Sequence, residues 1–268
     1  MSNSGLLVKK LAFPGFDDLF NTPPPQIIAG PCAVESLEQA EEIAQKLVAG
    51  NVKFMRGGIF KPRTSPYEFQ GLGAEGLKIL EFIKNKYGLF IVSEILDTRD
   101  VELGLKYTDV IQIGSRNMGN VALLKELGNA RHPVLLKRGM MATLSEFLLA
   151  AEYIVKGGND KLILCERGIR TFENGVRNVL DISSVAIIKK ETSLPVIVDL
   201  SHSLGRKDIL APVAKAVLAL GIDGLMLEVH NNPPKALSDA GQQLSFAEFD
   251  EFLFEIIPIE FTNPKVKT

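Results

Sequence analysis

The segment PVIVDLSH, Pro195–His202, carries the pattern on which the fold prediction for this chain rests. Val196–Asp199 opens with consecutive β-branched apolar residues and shows no alternation of polar and apolar positions. This pattern is typical of a strand buried on both faces of a parallel sheet. Ser201 and His202 follow almost at once. In parallel α/β folds the active residues collect at the C-terminal ends of strands. The segment therefore predicts a buried strand that delivers polar groups to a site.

The same pattern recurs along the chain, and each apolar run is followed by a stretch with helical periodicity. The eight predicted strands are Gln26–Ala29, Val52–Met55, Leu89–Ser93, Val110–Ile113, Val134–Lys137, Leu162–Cys165, Val196–Asp199 and Leu225–Glu228. Eight strand–helix units in 268 residues predict a single α/β domain, a (β/α)8 TIM barrel with a short N-terminal extension. Strand count does not prove closure, so a doubly wound open sheet is the alternative fold.

The segments between the strands contain signals for helix ends. Capping boxes are predicted at Ser36–Gln39, Thr143–Glu146 and Ser245–Glu248. Glycines stand where helix C-caps are expected, at Gly50, Gly88, Gly128, Gly157 and Gly221. In the first helix one apolar stripe is predicted to face the core, formed by Leu37, Ala40, Ile43, Ala44, Leu47 and Val48.

The composition excludes several classes of protein. The chain has 30 basic and 32 acidic residues and a net charge of −2, so nothing in it attracts nucleic acid or an anionic membrane. No apolar run approaches the ~20 residues of a transmembrane helix, and the N-terminus lacks the features of a secretory signal. Two cysteines, Cys32 and Cys165, are too few for a disulfide framework. We expect a cytoplasmic protein.

Charged residues collect where the predicted strands end, which a barrel places at one rim. The cations among them are Arg56, Lys61, Arg63, Arg116, Lys137, Arg138, Arg167 and Arg170. Such a group repels itself unless carboxylates or a bound polyanion neutralise it, and arginine suits phosphate and carboxylate. We expect about a third of these cations to form structural pairs with Glu94, Glu166 and Asp199, because structural ion-pair networks resemble sites.

A second set of residues combines a thiol, an imidazole and two carboxylates. Cys32 and His202 closely follow the first and seventh predicted strands, and Glu228 ends the eighth. These strands are neighbours in a closed barrel, and Asp239 lies in the loop beyond strand eight. This donor set would accept a divalent transition metal. A lone cysteine or histidine is more often structural, so the hypothesis depends on their convergence.

Seven motifs occur in order along the chain: IIAGPCAVES, RGGIFKPRTSPYEFQGLG, QIGSRNMGN, PVLLKRGM, ILCERGIRTFE, DLSHSLGR and DGLMLEVHNNPPKALSD. From about Gln26 to Phe254 the chain resembles the 3-deoxy-D-arabino-heptulosonate 7-phosphate (DAHP) synthases, in the compact subfamily related to 3-deoxy-D-manno-octulosonate 8-phosphate synthase. The resemblance implies a condensation of phosphoenolpyruvate, erythrose 4-phosphate and water that releases phosphate, the first step of the shikimate pathway.

The resemblance also assigns roles to particular residues. The implied ligands of one divalent ion (manganese, iron, cobalt or zinc) are Cys32, His202, Glu228 and Asp239. The implied phosphoenolpyruvate-binding residues are Arg56, Lys61, Arg116, Lys137 and Arg167. The implied erythrose 4-phosphate-binding residues are Lys61, Pro62, Arg63, Thr64 and Ser65. Catalysis is assigned to Lys61, Cys32 and His202. Either Lys61 or water held by the metal ion protonates the new alkoxide, and the sequence leaves both open.

Two alternative functions remain at this point. Octulosonate synthases carry Ala-Asn where this chain has Pro62-Arg63, so Arg63 favours the shorter erythrose 4-phosphate over arabinose 5-phosphate. A non-catalytic sensor of phosphorylated ligands is the second alternative, and the complete set of implied metal ligands and cations counts against it.

The domain prediction is an extension at residues 1–25, a catalytic barrel at 26–262 and a tail at 263–268. Relatives often carry a fused regulatory domain, for which an extension of about 25 residues leaves no room. We therefore expect no such domain. The resemblance implies small phosphorylated substrates, a homo-oligomer (dimer or tetramer), and possibly a separate regulatory partner such as chorismate mutase.

Overall fold

The computed structural model describes residues 25–63 and 65–256, and their parallel strands close into a barrel in the order β1 to β8. The strands are β1 Gln26–Gly30, β2 Phe54–Arg56, β3 Phe90–Glu94, β4 Val110–Ile113, β5 Val134–Lys137, β6 Leu162–Glu166, β7 Val196–Asp199 and β8 Gly224–Glu228. Closure is made by β1 on β8, in a register that pairs Gln26 with Gly224 and Gly30 with Glu228. The barrel prediction is confirmed, and the open-sheet alternative is wrong.

The predicted strand limits agree with the observed ones to within one residue, except that β2 begins two residues later than predicted. Val52 N–H donates to the carbonyl of Leu47 at 2.9 Å, and Asn51 adopts a positive φ of 56°. Val52 therefore belongs to the turn that ends the first helix. β2 also ends one residue later than predicted, at Arg56, whose side chain reaches the C-terminal rim.

Helices cover the outside of the barrel. They are α1 Leu37–Ala49, α2 Ala74–Tyr87, α3 Val101–Tyr107, α4 Val121–Ala130, α5 Leu144–Lys156, α6 Ile182–Glu191, α7 Leu200–Leu204, α8 Leu210–Leu218 and α9 Phe246–Ile256. Short 3₁₀ turns occupy Thr98–Asp100, Ser115–Asn117 and Pro233–Lys235. None of the helices in the described residues has both the length and the apolar character of a membrane span.

Two of the three predicted capping boxes form completely, those at Thr143–Glu146 and Ser245–Glu248. The box at Ser36 forms only in part. Ser36 Oγ accepts from the backbone N–H of Gln39 at 3.1 Å, but Gln39 Oε1 accepts from Glu35 N–H at 3.0 Å and not from Ser36. The helix still begins where it was predicted to begin, because one hydroxyl cap satisfies an orphan amide.

Packing overrides two predictions about the helices. Gly128 lies inside α4 and not at its end; a Cβ there would lie 3.0 Å from the Ile154 carbonyl oxygen, so the glycine allows α4 to approach α5 closely. Leu37 and Val48, at the ends of the α1 stripe, remain 42% and 47% exposed. The core prediction for α1 is correct only for its central residues.

The core has two layers. An inner cluster inside the barrel takes a residue from every strand: Ile28, Phe54, Val92, Val110, Leu135, Ile163, Cys165, Ile197 and Met226. A larger outer layer lies between the strands and the helices. Cys165 is thus a packed core residue, and burial raises the pKa of its thiol. The predicted N-terminal extension, except Pro25, and the predicted tail at 263–268 lie outside the described residues.

Candidate active site

A cavity of about 160 Å³ opens at the C-terminal rim of the barrel, where the polar strand ends were predicted to meet. It is lined by Arg56, Lys61, Pro62, Arg63, Glu94, Gln112, Gly114, Ser115, Arg116, Lys137, Met140, Arg167, Arg170, Arg177, Asn178, His202 and Asp239. Among the residues that the structure describes, the lining contains eight lysine and arginine side chains but only two carboxylates, those of Glu94 and Asp239. This excess of positive charge makes the cavity a site for anions.

The four predicted metal ligands come together beside this cavity. One donor atom from each of Cys32, His202, Glu228 and Asp239 lies within 4.8 Å of the other three. Cys32 and Glu228 are fully buried, and the other two side chains are partly exposed toward the cavity. A thiol, an imidazole and two carboxylates at this spacing fit a divalent transition-metal ion.

His202 is oriented by Asp199. Its Nδ1 lies 2.9 Å from Asp199 Oδ2, which turns Nε2 toward Glu228 Oε1 at 3.4 Å and Asp239 Oδ2 at 3.8 Å. Burial lowers the pKa of His202 despite the neighbouring carboxylates, so the ring is neutral at pH 7. A neutral imidazole whose other nitrogen is held by a carboxylate is the usual arrangement for a metal-binding histidine.

Cys32 lies two residues beyond β1. Burial and the negative charge of Glu228 raise the pKa of its thiol to about 11, so without a metal ion the group is protonated. Sγ lies 3.4 Å from Asp239 Oδ2. Because a metal ion binds the thiolate, occupation of this centre would release the proton.

Three of the four ligand candidates, Cys32, Glu228 and Asp239, also contact a cation that lines the cavity. Arg56 Nη1 pairs with Glu228 Oε1. Burial by itself lowers the pKa of Arg56, but the negative charge of Glu228 has the larger effect, so the pKa is raised. Lys61 Nζ lies 2.9 Å from Cys32 Sγ. Arg177 Nη1 lies 3.3 Å from Asp239 Oδ2. The candidate metal centre and the anion cavity are therefore one electrostatic unit.

Gly58 allows Lys61 to reach Cys32. A Cβ at position 58 would lie 2.6 Å from the Cys32 carbonyl oxygen and 3.0 Å from Lys61 Cδ. The first contact is with backbone, which cannot move aside as a flexible side chain can. A larger residue at position 58 would therefore displace the loop that carries Lys61.

The structure places all five cations implied for phosphoenolpyruvate, namely Arg56, Lys61, Arg116, Lys137 and Arg167, in the cavity wall. Lys137 Nζ pairs with Asp199, one of the three carboxylates that were predicted to pair with rim cations. Arg56 Nε is buried and has no hydrogen-bond partner among the residues described, which leaves a donor for an incoming anion.

The predicted rim cation Arg138 has a structural role instead. Its Nη1 bonds Glu166 Oε2 at 2.8 Å and Asp181 Oδ2 at 3.0 Å, and it is absent from the cavity wall. The other oxygen of Glu166 accepts from the N–H groups of Arg167 at 3.0 Å and Gly168 at 2.6 Å. This buried pair thus fixes the backbone that carries Arg167. Glu94, the third predicted partner, accepts from Gln112 Nε2 at 3.1 Å.

The loop after β2 contributes Lys61, Pro62 and Arg63 to the cavity. Arg63 Nε donates to the Phe69 carbonyl at 3.3 Å, which holds the loop closed on itself. Ser65 is not among the lining residues, and its Oγ accepts from Tyr67 N–H at 3.3 Å. Thr64, also predicted to bind the sugar phosphate, lies outside the described residues.

Sequence reasoning missed Arg177 and Asn178, which line the cavity from the loop between β6 and α6. They follow the end of β6 by more than ten residues. The only signal available was a cation in a loop at the C-terminal side of a strand, which is weak when the loop is long.

A closed (β/α)8 barrel with a cation-lined cavity and a candidate metal centre at its C-terminal rim defines an enzyme of the class that acts on phosphorylated or carboxylated small molecules. The sequence profile of the DAHP synthetase I family matches residues 21–259. The chain belongs to that family, and the assignment made from the motifs is confirmed.

Individual relatives agree with this assignment. A phospho-2-dehydro-3-deoxyheptonate aldolase of Thermotoga maritima is 54% identical over 230 residues, which cover 86% of this chain and 68% of that protein. The crystal structure of a DAHP synthase from the same organism matches with a TM-score of 0.84 at 52% identity, covering 87% of this chain and 68% of that one. A 2-dehydro-3-deoxyphosphooctonate aldolase of Syntrophotalea carbinolica is 31% identical over 88% of this chain and 91% of its own length.

Proposed function

We propose that this chain is a DAHP synthase, which condenses phosphoenolpyruvate with erythrose 4-phosphate and water to give DAHP and phosphate. The observation that carries the proposal is the contact between four candidate metal ligands and a cavity lined by eight cations. Two phosphorylated substrates, one of them also a carboxylate, supply the anions that this cavity needs. Family membership and the Thermotoga relative support the same reaction.

In this reaction C3 of phosphoenolpyruvate attacks the aldehyde carbon of the sugar, and positive character develops at C2. Water adds at C2, and phosphate leaves with cleavage of the C–O bond. The five cations of the cavity wall named above are proposed to hold the phosphate and carboxylate of phosphoenolpyruvate. Anchoring both substrates aligns the two reacting carbons and removes much of the entropic barrier.

Cys32, His202, Glu228 and Asp239 are proposed to hold one divalent ion, which when bound supplies Lewis-acid polarisation of the aldehyde oxygen. The mixture of a soft thiolate with hard carboxylates suits manganese, iron, cobalt or zinc. Asp199 keeps Nε2 of His202 facing this centre. The imidazole therefore needs no reorientation before it binds.

Lys61 is the proposed donor of the proton that the aldehyde oxygen takes up. Its Nζ contacts the candidate ligand Cys32 at 2.9 Å, and its side chain also forms part of the cavity wall. In the proposed arrangement of the substrates, a group in this position would border both the sugar aldehyde and phosphoenolpyruvate. General acid catalysis requires this reach to the oxygen that gains charge.

The sugar specificity is assigned to Pro62 and Arg63. Pro62 fixes the backbone, and Arg63 lines the cavity from a loop that is held closed by its own hydrogen bond. We propose that Arg63 binds the phosphate of erythrose 4-phosphate, and the roles of Thr64 and Ser65 stay predictions from the resemblance. The octulosonate synthase alternative is the weaker one, because that relative is 31% identical and the heptulosonate relative is 54% identical.

The barrel at 26–262 is proposed as the catalytic unit. A cytoplasmic location stays a prediction from the composition, and a homodimer or homotetramer and regulation by a separate partner such as chorismate mutase stay predictions from the resemblance. Size-exclusion chromatography with light scattering would test the assembly of the purified chain.

The proposed function is tested by incubating the purified chain with phosphoenolpyruvate, erythrose 4-phosphate and Mn²⁺. We expect one DAHP, identified by mass spectrometry, for each phosphate released. The Cys32→Ala variant should stay folded and lose this activity. Phosphate release without a seven-carbon product would contradict the proposal.

A further inference from the structure

Gln242 lies in the loop between Asp239 and α9, and it is buried. Both ends of its amide are hydrogen-bonded. Nε2 donates to Glu228 Oε2 at 2.6 Å, and Oε1 accepts from Arg177 Nη1 at 2.6 Å. Arg177 also pairs with Asp239 Oδ2 at 3.3 Å. Gln242 therefore connects the two candidate carboxylate ligands, Glu228 directly and Asp239 through Arg177.

Gln243, the next residue, connects the other side of the centre and is fully buried. Its Oε1 accepts from the backbone N–H of Cys32 at 2.9 Å, and its Nε2 donates to the carbonyl of Ser238 at 2.8 Å. Ser238 precedes Asp239, whose φ of 48° lies in the left-handed region that aspartate tolerates better than most residues. The backbones of Cys32 and the Asp239 loop are thus tied through one amide.

We propose that Gln242 and Gln243 are positioning residues of the metal centre. Gln242 occupies Oε2 of Glu228, while Oε1, which pairs with Arg56, faces His202 Nε2 at 3.4 Å. Gln243 sets the separation between Cys32 and the loop of Asp239. This inference rests on the metal site in the proposed function, and neither glutamine contacts a substrate or the metal in it.

An amide is the side chain that meets these requirements. At position 242 a donor must face a carboxylate while an acceptor faces a guanidinium, and glutamine offers both. Leucine would leave the buried Glu228 Oε2 without this partner, which is costly, and would remove an acceptor from Arg177, whose side chain is partly exposed. Partners that orient metal ligands typically contribute about 10- to 100-fold to metal affinity.

A purely structural role is the competing explanation, and Asn159 provides the matched control. It is a fully buried amide that donates to the carbonyls of Leu127 and His132, both at 2.8 Å, at the opposite end of the barrel. Its replacement should lower the melting temperature and leave the metal centre intact. Measuring both the melting temperature and the metal affinity of each variant therefore separates a loss of stability from a displacement of the metal ligands.

The experiment titrates the full-length, chelator-treated chain with Co²⁺ and follows the thiolate charge-transfer and visible absorption bands. Gln242→Leu and Gln243→Leu should each weaken Co²⁺ affinity by about 10- to 100-fold and change the visible spectrum. Gln242→Asn, one methylene too short to span both partners, should show a smaller loss and serves if the leucine variant does not fold. Asn159→Leu should bind Co²⁺ as the parent does.

Unchanged affinity and spectrum in folded Gln242 and Gln243 variants would overturn the inference. An equal loss of affinity in Asn159→Leu would also overturn it, because the effect would then be global. Absence of Co²⁺ binding by the parent chain would overturn the metal centre together with this inference. Normal Co²⁺ binding without DAHP formation would contradict the proposed function alone, since the titration needs no turnover.

Discussion

Lys61 Nζ lies 2.9 Å from Cys32 Sγ and 3.0 Å from the Cys32 carbonyl oxygen, while the same side chain lines the anion cavity. One residue from the loop after β2 thus contacts a candidate metal ligand from the loop after β1. The contact depends on the closed barrel, which brings the C-terminal ends of neighbouring strands together. The contact also places Lys61 between the candidate metal centre and the anion cavity.

Replacement of Lys61 by methionine should lower kcat strongly. A positioned proton donor typically contributes about 10²- to 10⁴-fold, and we expect a loss in this range with substrates at saturation. Steady-state phosphate release measures it. Lys125→Met, on the exposed face of α4, is the control and should keep full activity. A Lys61→Met enzyme with parental kcat would exclude Lys61 as the proton donor.

The double variant Pro62→Ala/Arg63→Asn should lose preference for erythrose 4-phosphate. Removal of a hydrogen-bonded charge costs about 1.5–3 kcal/mol, which corresponds to roughly 10- to 150-fold in kcat/KM for this sugar. Parallel assays with arabinose 5-phosphate give the ratio of the two specificity constants. If that ratio does not change, the loop after β2 does not select the sugar.

Glu166→Gln should destabilise the barrel. The substitution keeps the size of the side chain but leaves Arg138 as a buried cation without its main carboxylate. Breaking a buried pair costs about 3–5 kcal/mol, which lowers Tm by roughly 6–20 °C in a chain of this size. Differential scanning calorimetry measures the shift. Arg99→Gln breaks the exposed pair with Asp97 and should leave Tm nearly unchanged; equal shifts in both variants would contradict the assignment.

His132 should make stability depend on pH. Burial lowers the pKa of His132 below its usual 6.5, although Asp109 partly opposes this. The unfolded chain therefore takes up a proton before the folded chain does, so stability falls as pH drops below 6.5. In the His132→Gln variant the loss of stability at low pH should be smaller. His202 contributes equally to the pH dependence of both proteins, so the difference between them reports on His132. Identical Tm profiles between pH 7 and pH 5, a range set by the histidine pKa, would refute the prediction.

The barrel and the convergence of Cys32, His202 and Glu228 could be predicted because both follow from strand ends, whereas Asp239, in the loop beyond β8, was supported by the family motif. Buried parallel strands are visible as continuous apolar runs, and their C-terminal ends share one rim in any closed barrel. The residues that directly follow each apolar run can therefore be assigned to one site from the sequence alone, without any measured distance.

Contacts between distant loops could not be predicted in this way. Gln242 bonds Arg177, which is 65 positions earlier, and Gln243 bonds Cys32, which is 211 positions earlier. In a sequence both glutamines look like ordinary loop residues. Gly128 was misplaced for a related reason, because its close packing against α5 is a tertiary effect that local helix-end signals do not contain.

The central claim is that a metal-dependent site in this barrel joins phosphoenolpyruvate to erythrose 4-phosphate, and a competition assay tests it most directly. Metal-stripped protein receives phosphoenolpyruvate with equal amounts of erythrose 4-phosphate and arabinose 5-phosphate, with and without Mn²⁺, and the products are resolved by mass. We predict the seven-carbon product in large excess, formed only when Mn²⁺ is present. A predominance of the eight-carbon product, or equal yields in the presence of chelator, would contradict the claim.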